Sequence, residues 1–268
     1  MGPAASRMRS RARQRALDGR GVPARLTLLV VVLAVWEWYG HQVSAALFVP
    51  PSAIVRAFYD MAVVERTLLD AVGTTVVGLV AGLGAAVVVG VAVGVALGRW
   101  RLLGQVVDPY VAFFYSMPLI ALQPLLIVWL GIGSVLKIAM VFAFSVFVVI
   151  INTAAGVREV EDTFLDVGRS MCATETQVVR TIILPRALPY IMTGIRLGLA
   201  QGLVGVIVVE MTAAVTGMGG LVVTAGSFFQ TARLFVPILV IMLVSVVLTA
   251  ALRWLHRKVS PWAQTGHG

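Results

Sequence analysis

Long stretches of the chain run without a single Asp, Glu, Lys or Arg: residues 71–98, 109–136, 138–157, 211–232 and 234–252. Crossing a hydrocarbon layer about 30 Å thick takes roughly 20 mostly apolar helical residues, so each run is about long enough to span a bilayer. The stretch from Leu26 to Gly40 is shorter and holds Glu37, but its core LTLLVVVLAVW, followed by HQVSAALFV, supplies a first span with the acid near an interface. Between Tyr190 and Val215 the only charges are Arg196 near one end and Glu210 near the other, which lets both reach out of the apolar layer. The pattern predicts an all-α integral membrane protein with six transmembrane helices, near 26–45, 70–98, 106–131, 135–156, 190–213 and 234–254.

Basic residues orient the spans, because Lys and Arg resist translocation. Seven arginines lie in the first 25 residues, with Arg99 and Arg101 in one loop, Arg158, Arg169, Arg180 and Arg186 in 157–189, and Arg253, Arg257 and Lys258 after the last span. The other side receives Arg56, Arg66 and Arg233, with Lys137 at a boundary. Both termini are therefore expected in the cytoplasm: a basic tail over 1–25, a transmembrane domain over 26–258 and a short tail over 259–268. A cleaved signal peptide is the competing reading of the N-terminus, but no clear small-x-small cleavage site follows the apolar core. The uncharged run 211–232 fits a re-entrant or interfacial excursion, since its TGMGG centre breaks helicity and a seventh span would put the basic C-terminus outside. Glu210 then stands at the extracytoplasmic end of span five, bracing that excursion.

Composition agrees with the pattern. The chain is 59% hydrophobic and 12% charged, with a mean hydropathy of +0.96, whereas soluble domains carry about a quarter charged residues. The net charge of +9 would suit nucleic acid, but the basic residues crowd the N-terminus and the flanks of apolar runs. One cysteine, Cys172, permits no intrachain disulfide.

Small residues recur four apart at Gly78 and Gly82, at Gly90, Gly94 and Gly98, and at Gly194, Gly198 and Gly202. Such stripes let helices approach closely in lipid, and packing within the chain is expected before contact with a second copy. Pro118 and Pro124 remove backbone donors in span three, and a helix bent at membrane depth commonly borders a cavity. Met117, Pro118, Gln123, Gln201 and Glu210 are the candidates for a translocation path, with hydrogen bonding to a neighbouring helix as the alternative use of the two glutamines.

The 157–189 connection carries two short helical patterns. Val160, Phe164, Val167 and Met171 fall on one face, with Glu159, Asp162, Asp166 and Arg169 largely on the others. Thr174 with Gln177 three residues on forms a capping box for a second helix, whose stripe is Val178, Val179, Ile182 and Ile183 and which is expected to end before Pro185. Two amphipathic helices joined by a tight turn need a groove to bury their stripes, supplied by a partner or by the ends of the chain's own spans.

These residues resemble the cytoplasmic signature of permease subunits of ATP-binding-cassette importers: Glu-Ala-Ala, three residues, Gly, nine residues, Ile, one residue, Leu-Pro. Here Asp166-Val167-Gly168 is followed after three residues by Cys172, and after nine more by Ile182-Ile183-Leu184-Pro185. Four positions depart, Asp for Glu, Val and Gly for the two Ala, and Cys for the central Gly. A side chain at that glycine strains a left-handed turn by roughly 1 kcal/mol. The segments FVPPSAIVRAF, DPYVAFFYSMPLIALQPLLIVWLGIGSVLKI and VIVVEMTAAVTGMGGL are similar to the nitrate, sulfonate and taurine branch, which also holds riboflavin and thiamine-precursor permeases. The resemblance implies a type I importer fold, two permease subunits around a path (a homodimer here), two cytosolic ATPases docked on the 157–189 loops, and an extracytoplasmic solute-binding protein. It assigns the ATPase contact to Asp166, Val167, Gly168, Cys172, Ala173, Val178, Ile182, Leu184 and Pro185.

Catalysis in this chain itself has no support in the sequence, and no cofactor is implied. The two lysines, Lys137 and Lys258, do not follow glycine as a phosphate-cradling loop requires, and His41, His256 and His267 are scattered. ATP hydrolysis is expected in a separate subunit. A channel or scaffold would keep the spans but has no use for the exposed helical pair. The uncharged path favours a neutral or aromatic solute of vitamin type, riboflavin or a thiamine precursor, with nitrate, an aliphatic sulfonate or taurine as the alternative. Cys172 is read as a small residue tolerated in place of glycine; a reactive thiol between Arg169 and the helix opening at Thr174 is the other possibility.

Overall fold

The computed structural model describes residues 26–214 and 216–259, and among them every regular element is helical. The basic N-terminal tail and most of the C-terminal one lie outside the described residues, as does any signal peptide cleavage. In chain order the helices are α1 (Leu26–Gly40), α2 (Pro51–Tyr59), α3 (Thr67–Arg99), α4 (Arg101–Ser116), α5 (Gln123–Leu130), α6 (Ser134–Arg158), α7 (Asp162–Ser170), α8 (Glu175–Val178), α9 (Leu184–Val209), α10 (Gly217–Ser227) and α11 (Thr231–Val259). Among the described residues four stretches are long and apolar enough to cross a membrane: Thr67–Arg99, Ser134–Arg158, Glu175–Ala213 and Thr231–Lys258. The pair α4 and α5, bent by 79° at the break between them, is long and apolar enough only when the two are taken together, and counted as one span it makes a fifth.

The centre is a sandwich of α3, α6 and α9, with α6 in the middle. It forms because glycines on the outer two helices admit the side chains of α6. A Cβ on Gly82 would lie 2.6 Å from Cβ of Val141, one on Gly90 2.8 Å from Val149, and one on Gly98 2.5 Å from Val157. Gly194 faces Asn152 in the same way, and Gly202 faces Ser145. The small-residue stripes are thus used inside the chain. Ser145, fully buried, donates to the Gly198 carbonyl at 2.8 Å, which satisfies its hydroxyl inside the bundle.

Two sequence expectations are corrected and one is sharpened. Span one does not run to residue 45. Its helix stops at Gly40, where a Cβ would meet the Pro50 backbone at 2.6 Å, and Glu37 accepts hydrogen bonds from the Ser52 amide and hydroxyl at 3.1 and 2.6 Å, folding the chain back. Span three, expected to bend at its prolines, bends so sharply that one helix becomes two, since Met117 is extended and Pro118 and Pro124 carry no amide hydrogen, leaving a single 3-10 turn, Leu119–Leu122, at the corner. The helix opened at Thr174 does not end before Pro185. A widened turn over Val179–Ile183 accommodates the proline, and helix continues for 39 residues from Glu175 to Ala213. At 1.5 Å per residue that is about 58 Å, so its first turns project well beyond a 30 Å hydrocarbon layer. α10, at 11 residues, is too short to span, in keeping with an excursion over 211–232.

Candidate functional site

At the end where α9 begins, α7 and α8 pack across the mouth of the sandwich. α7 ends in a doubly hydrogen-bonded turn: the Ala173 amide donates to the Gly168 carbonyl at 3.0 Å, and the Cys172 amide to Arg169 at 2.9 Å. This is the helix stop that wants a left-handed residue just past the end, usually glycine. Cys172 occupies that position with φ +51° and is exposed. The cost of a left-handed non-glycine falls on it. Thr174 then opens α8 through a reciprocal capping box, with the Thr174 amide donating to Gln177 Oε1 at 2.8 Å and the Gln177 amide to Thr174 Oγ1 at 3.4 Å. Arg169 is turned back onto Asp166 at 2.8 Å.

Replacing Cys172 by glycine is therefore expected to relax the turn by about 1 kcal/mol, raising the unfolding temperature slightly, and to end labelling of the chain by thiol reagents. Thermal unfolding and thiol labelling of the Cys172→Gly protein check this. A glycine variant that unfolds below the wild-type temperature would mean that the turn needs the cysteine side chain.

The apolar stripe of the loop divides in two. Val160 and Val178 are buried, and Val178 packs with Val157, Ile183, Ala187 and Ile191, with Ala173, Ile182 and Leu184 alongside. Phe164 is covered by the Arg186 guanidinium, 3.1 Å above its ring. Val167 and Met171, by contrast, stand 52% and 76% exposed. Val178, Ile182 and Leu184 thus serve the chain's own core, and Gly168 is buried with Val178 3.3 Å from where a Cβ would sit. The residues of this stretch left exposed include Asp166, Val167, Met171 and Cys172, continued by a groove of about 600 Å³ between α7 and α9 that Val167, Ile182 and Pro185 help to line. One ion pair ties the loop to a span, and a second ties two spans to each other beside it. Arg99, at the end of α3, grips Glu175 bidentately at 2.8 and 3.1 Å. Arg158, at the end of α6, holds Asp108 on α4 at 2.8 Å.

The path candidates separate. Met117, Pro118 and Gln201 line one groove of about 380 Å³ at the break between α4 and α5, together with Tyr115, Phe144 and Phe147. It contains no charged side chain. Gln123 is elsewhere: it is buried and donates to the Thr212 hydroxyl. Glu210 is fully buried, paired with Lys137 at 2.9 Å. Lys137 stands in the first turn of α6, at the end of the span, but turns inward and is 3% exposed inside the bundle. Both charges reach each other instead of an interface. The sequence pattern did not single out Thr75 or Thr212, nor the pairing of Lys137 with Glu210. The available signal was that Lys137 and Glu210 bound uncharged runs on neighbouring spans at the same end.

Residues 86–261 match the family described as "Binding-protein-dependent transport system inner membrane component". The chain is 31% identical to the taurine transport system permease protein TauC of Escherichia coli, over 91% of this chain and 90% of that one. It is 29% identical to the putative aliphatic sulfonates transport permease protein SsuC of Bacillus subtilis, over 91% and 88%, and 31% identical to the riboflavin transport system permease protein RibX of Chloroflexus aurantiacus, over 90% of each. Among solved structures it resembles a chain of the inward-facing MetNI methionine ABC transporter, with a TM-score of 0.62 and 22% identity over 74% of this chain and 97% of that chain.

Proposed function

The chain belongs to the binding-protein-dependent transport system inner membrane component family, and from that premise we propose that two copies of it line the solute path of an importer driven by two separate cytosolic ATPase subunits. The observation that carries this reading is the capped pair α7–α8, which presents Val167 and Met171 to solvent although every other apolar stripe of the loop is covered. A partner that moves there would act on α3 through the Arg99–Glu175 pair, with Arg158–Asp108 holding the end of α6 to α4, and ATP-driven closure is thereby converted to alternating access. ATP hydrolysis belongs to the partner. Both termini and the 157–189 loop are assigned to the cytoplasm, with α10 and the α2 segment toward the solute-binding protein.

For the substrate, the relatives named for taurine and aliphatic sulfonates support a small organosulfonate. This replaces the vitamin-type solute favoured by the uncharged path. The vitamin remains the second reading, because Tyr115, Phe144 and Phe147 give the groove aromatic walls and one relative is named for riboflavin. Uptake of labelled taurine by cells carrying the whole transporter, competed by ethanesulfonate and unaffected by riboflavin, is the expected result; competition by riboflavin alone would reverse the order of the two.

A further inference from the structure

Beyond the groove and the docking loop, one cluster of titratable groups is used by neither. At the end of α9 away from the loop, the Glu210 carboxylate receives the Lys137 ammonium at 2.9 Å, the Thr75 hydroxyl at 2.8 Å and the Gly219 amide at 3.1 Å. Thr75 in turn accepts the Met218 amide at 3.0 Å. Four elements, α3, α6, α9 and α10, meet on one carboxylate that has no exposed surface. The fit dictates the local sequence. Gly217 has φ +72°, and a Cβ there would overlap the carboxylate; one on Gly219 would lie 2.7 Å from Cβ of Glu210.

Stability alone does not account for this arrangement. Withdrawing two charges from water costs several kcal/mol each, and replacing a buried pair by well-packed apolar residues is often neutral or stabilising. What the pair adds over an apolar contact is direction, because a carboxylate with three donors fixes the register of α10, which at 11 residues is too short to hold its place by its own helical tendency. Glu210 is also the first residue of a widened turn, Glu210–Ala214. On that same turn Thr212 accepts Gln123, the first residue of α5 after the break, and Ala213 and Val209 pack with Leu126 and Ile127 of α5. On the other side Met218 of α10 is buried with Ile54 and Ala57 of α2 and Val236 of α11.

We infer that Lys137, Glu210 and Thr75 are positioning residues that make α10, the 210–214 turn and α5 one mechanical unit, so that a push on α10 from the solute-binding protein reaches the broken helix lining the groove. The inference rests on the importer reading. Its test uses the assembled complex with its ATPase subunits and binding protein, comparing the wild type with Glu210→Gln and with the double replacement Lys137→Met/Glu210→Met, which leaves no unpaired charge. The double variant, in which the Gly219 amide and the Thr75 hydroxyl lose their acceptor, is expected to assemble, to unfold near the wild-type temperature and to keep its basal ATP hydrolysis, while uptake and the stimulation of hydrolysis by loaded binding protein fall roughly ten-fold. Glu210→Gln, which strands Lys137, is expected to lose stimulation as well. Wild-type uptake in the double variant would overturn the inference, because the pair would then only support the fold. Failure of the double variant to assemble would overturn it too, since the charges would then be needed for folding itself. A wild-type complex that shows no response to the binding protein would overturn the importer reading and the inference with it.

Discussion

Val167→Asp combined with Met171→Asp is expected to release the ATPase subunits and abolish ATP-driven uptake while the permease stays inserted and folded. Both side chains are exposed on the outer edge of α7 and its turn, so in the isolated chain the new carboxylates remain in water and cost the fold little. In the docked complex each would be buried against an apolar groove without a partner, at several kcal/mol apiece. Even about 4 kcal/mol in all weakens the contact roughly a thousandfold. Co-purification of the ATPase with tagged permease, read beside thermal unfolding of the permease, checks the expectation. Val178→Asp is the contrasting case. Its carboxylate would be buried among Val157, Ile183, Ala187 and Ile191, so it is expected to lower the unfolding temperature of the permease. ATPase that still binds the Val167→Asp/Met171→Asp protein would show that this edge is not the docking surface.

That contrast marks where the sequence stops being legible. The amphipathic period of 157–189 reveals that Val160, Val167, Met171 and Val178 seek cover, yet the period is the same whether the cover is the chain's own α9 or another protein. Only the path of α9 decides it, and that path follows from the widened turn before Pro185, whose i to i+5 hydrogen bonding leaves no periodic trace. Local features were readable because they depend on residues close in sequence. The capping box needs only Thr174 and Gln177, and the left-handed turn is foreshadowed by Cys172 standing where the resembling family has glycine.

Contacts between spans are the opposite case. Lys137 and Glu210 lie 73 residues apart, and each taken singly looks like a charge reaching for its nearest interface. Their pairing becomes visible only when α6 and α9 are known to be neighbours with those ends level. The glutamines show the same limit: Gln123 bonds Thr212 and Gln201 faces the groove, a distinction that depends on the break at Pro118.

The glycine stripes allow the division between inside and outside to be tested directly. Gly94→Leu is expected to unfold the α3–α6 seam, and Gly84→Leu, ten residues earlier on the same helix, to be tolerated. At Gly94 the first added carbon would stand 2.5 Å from Cβ of Thr153 and 2.8 Å from the Ile150 carbonyl oxygen. The carbonyl belongs to the backbone of a packed helix and cannot rotate away, and Thr153 is fully buried with nowhere to go. Overpacking of this kind costs about 3 kcal/mol or more, which in a chain of this size lowers the melting temperature by on the order of 10 °C. At Gly84 nothing lies within 4 Å of the added carbon, and a leucine there gains helix propensity over glycine. Thermal unfolding of the two purified variants separates them. A Gly84→Leu protein that melts like the wild type but no longer forms a two-permease complex would move that face of α3 from lipid to the second copy; equal melting of both variants would mean that α3 and α6 do not meet at the Gly94 seam.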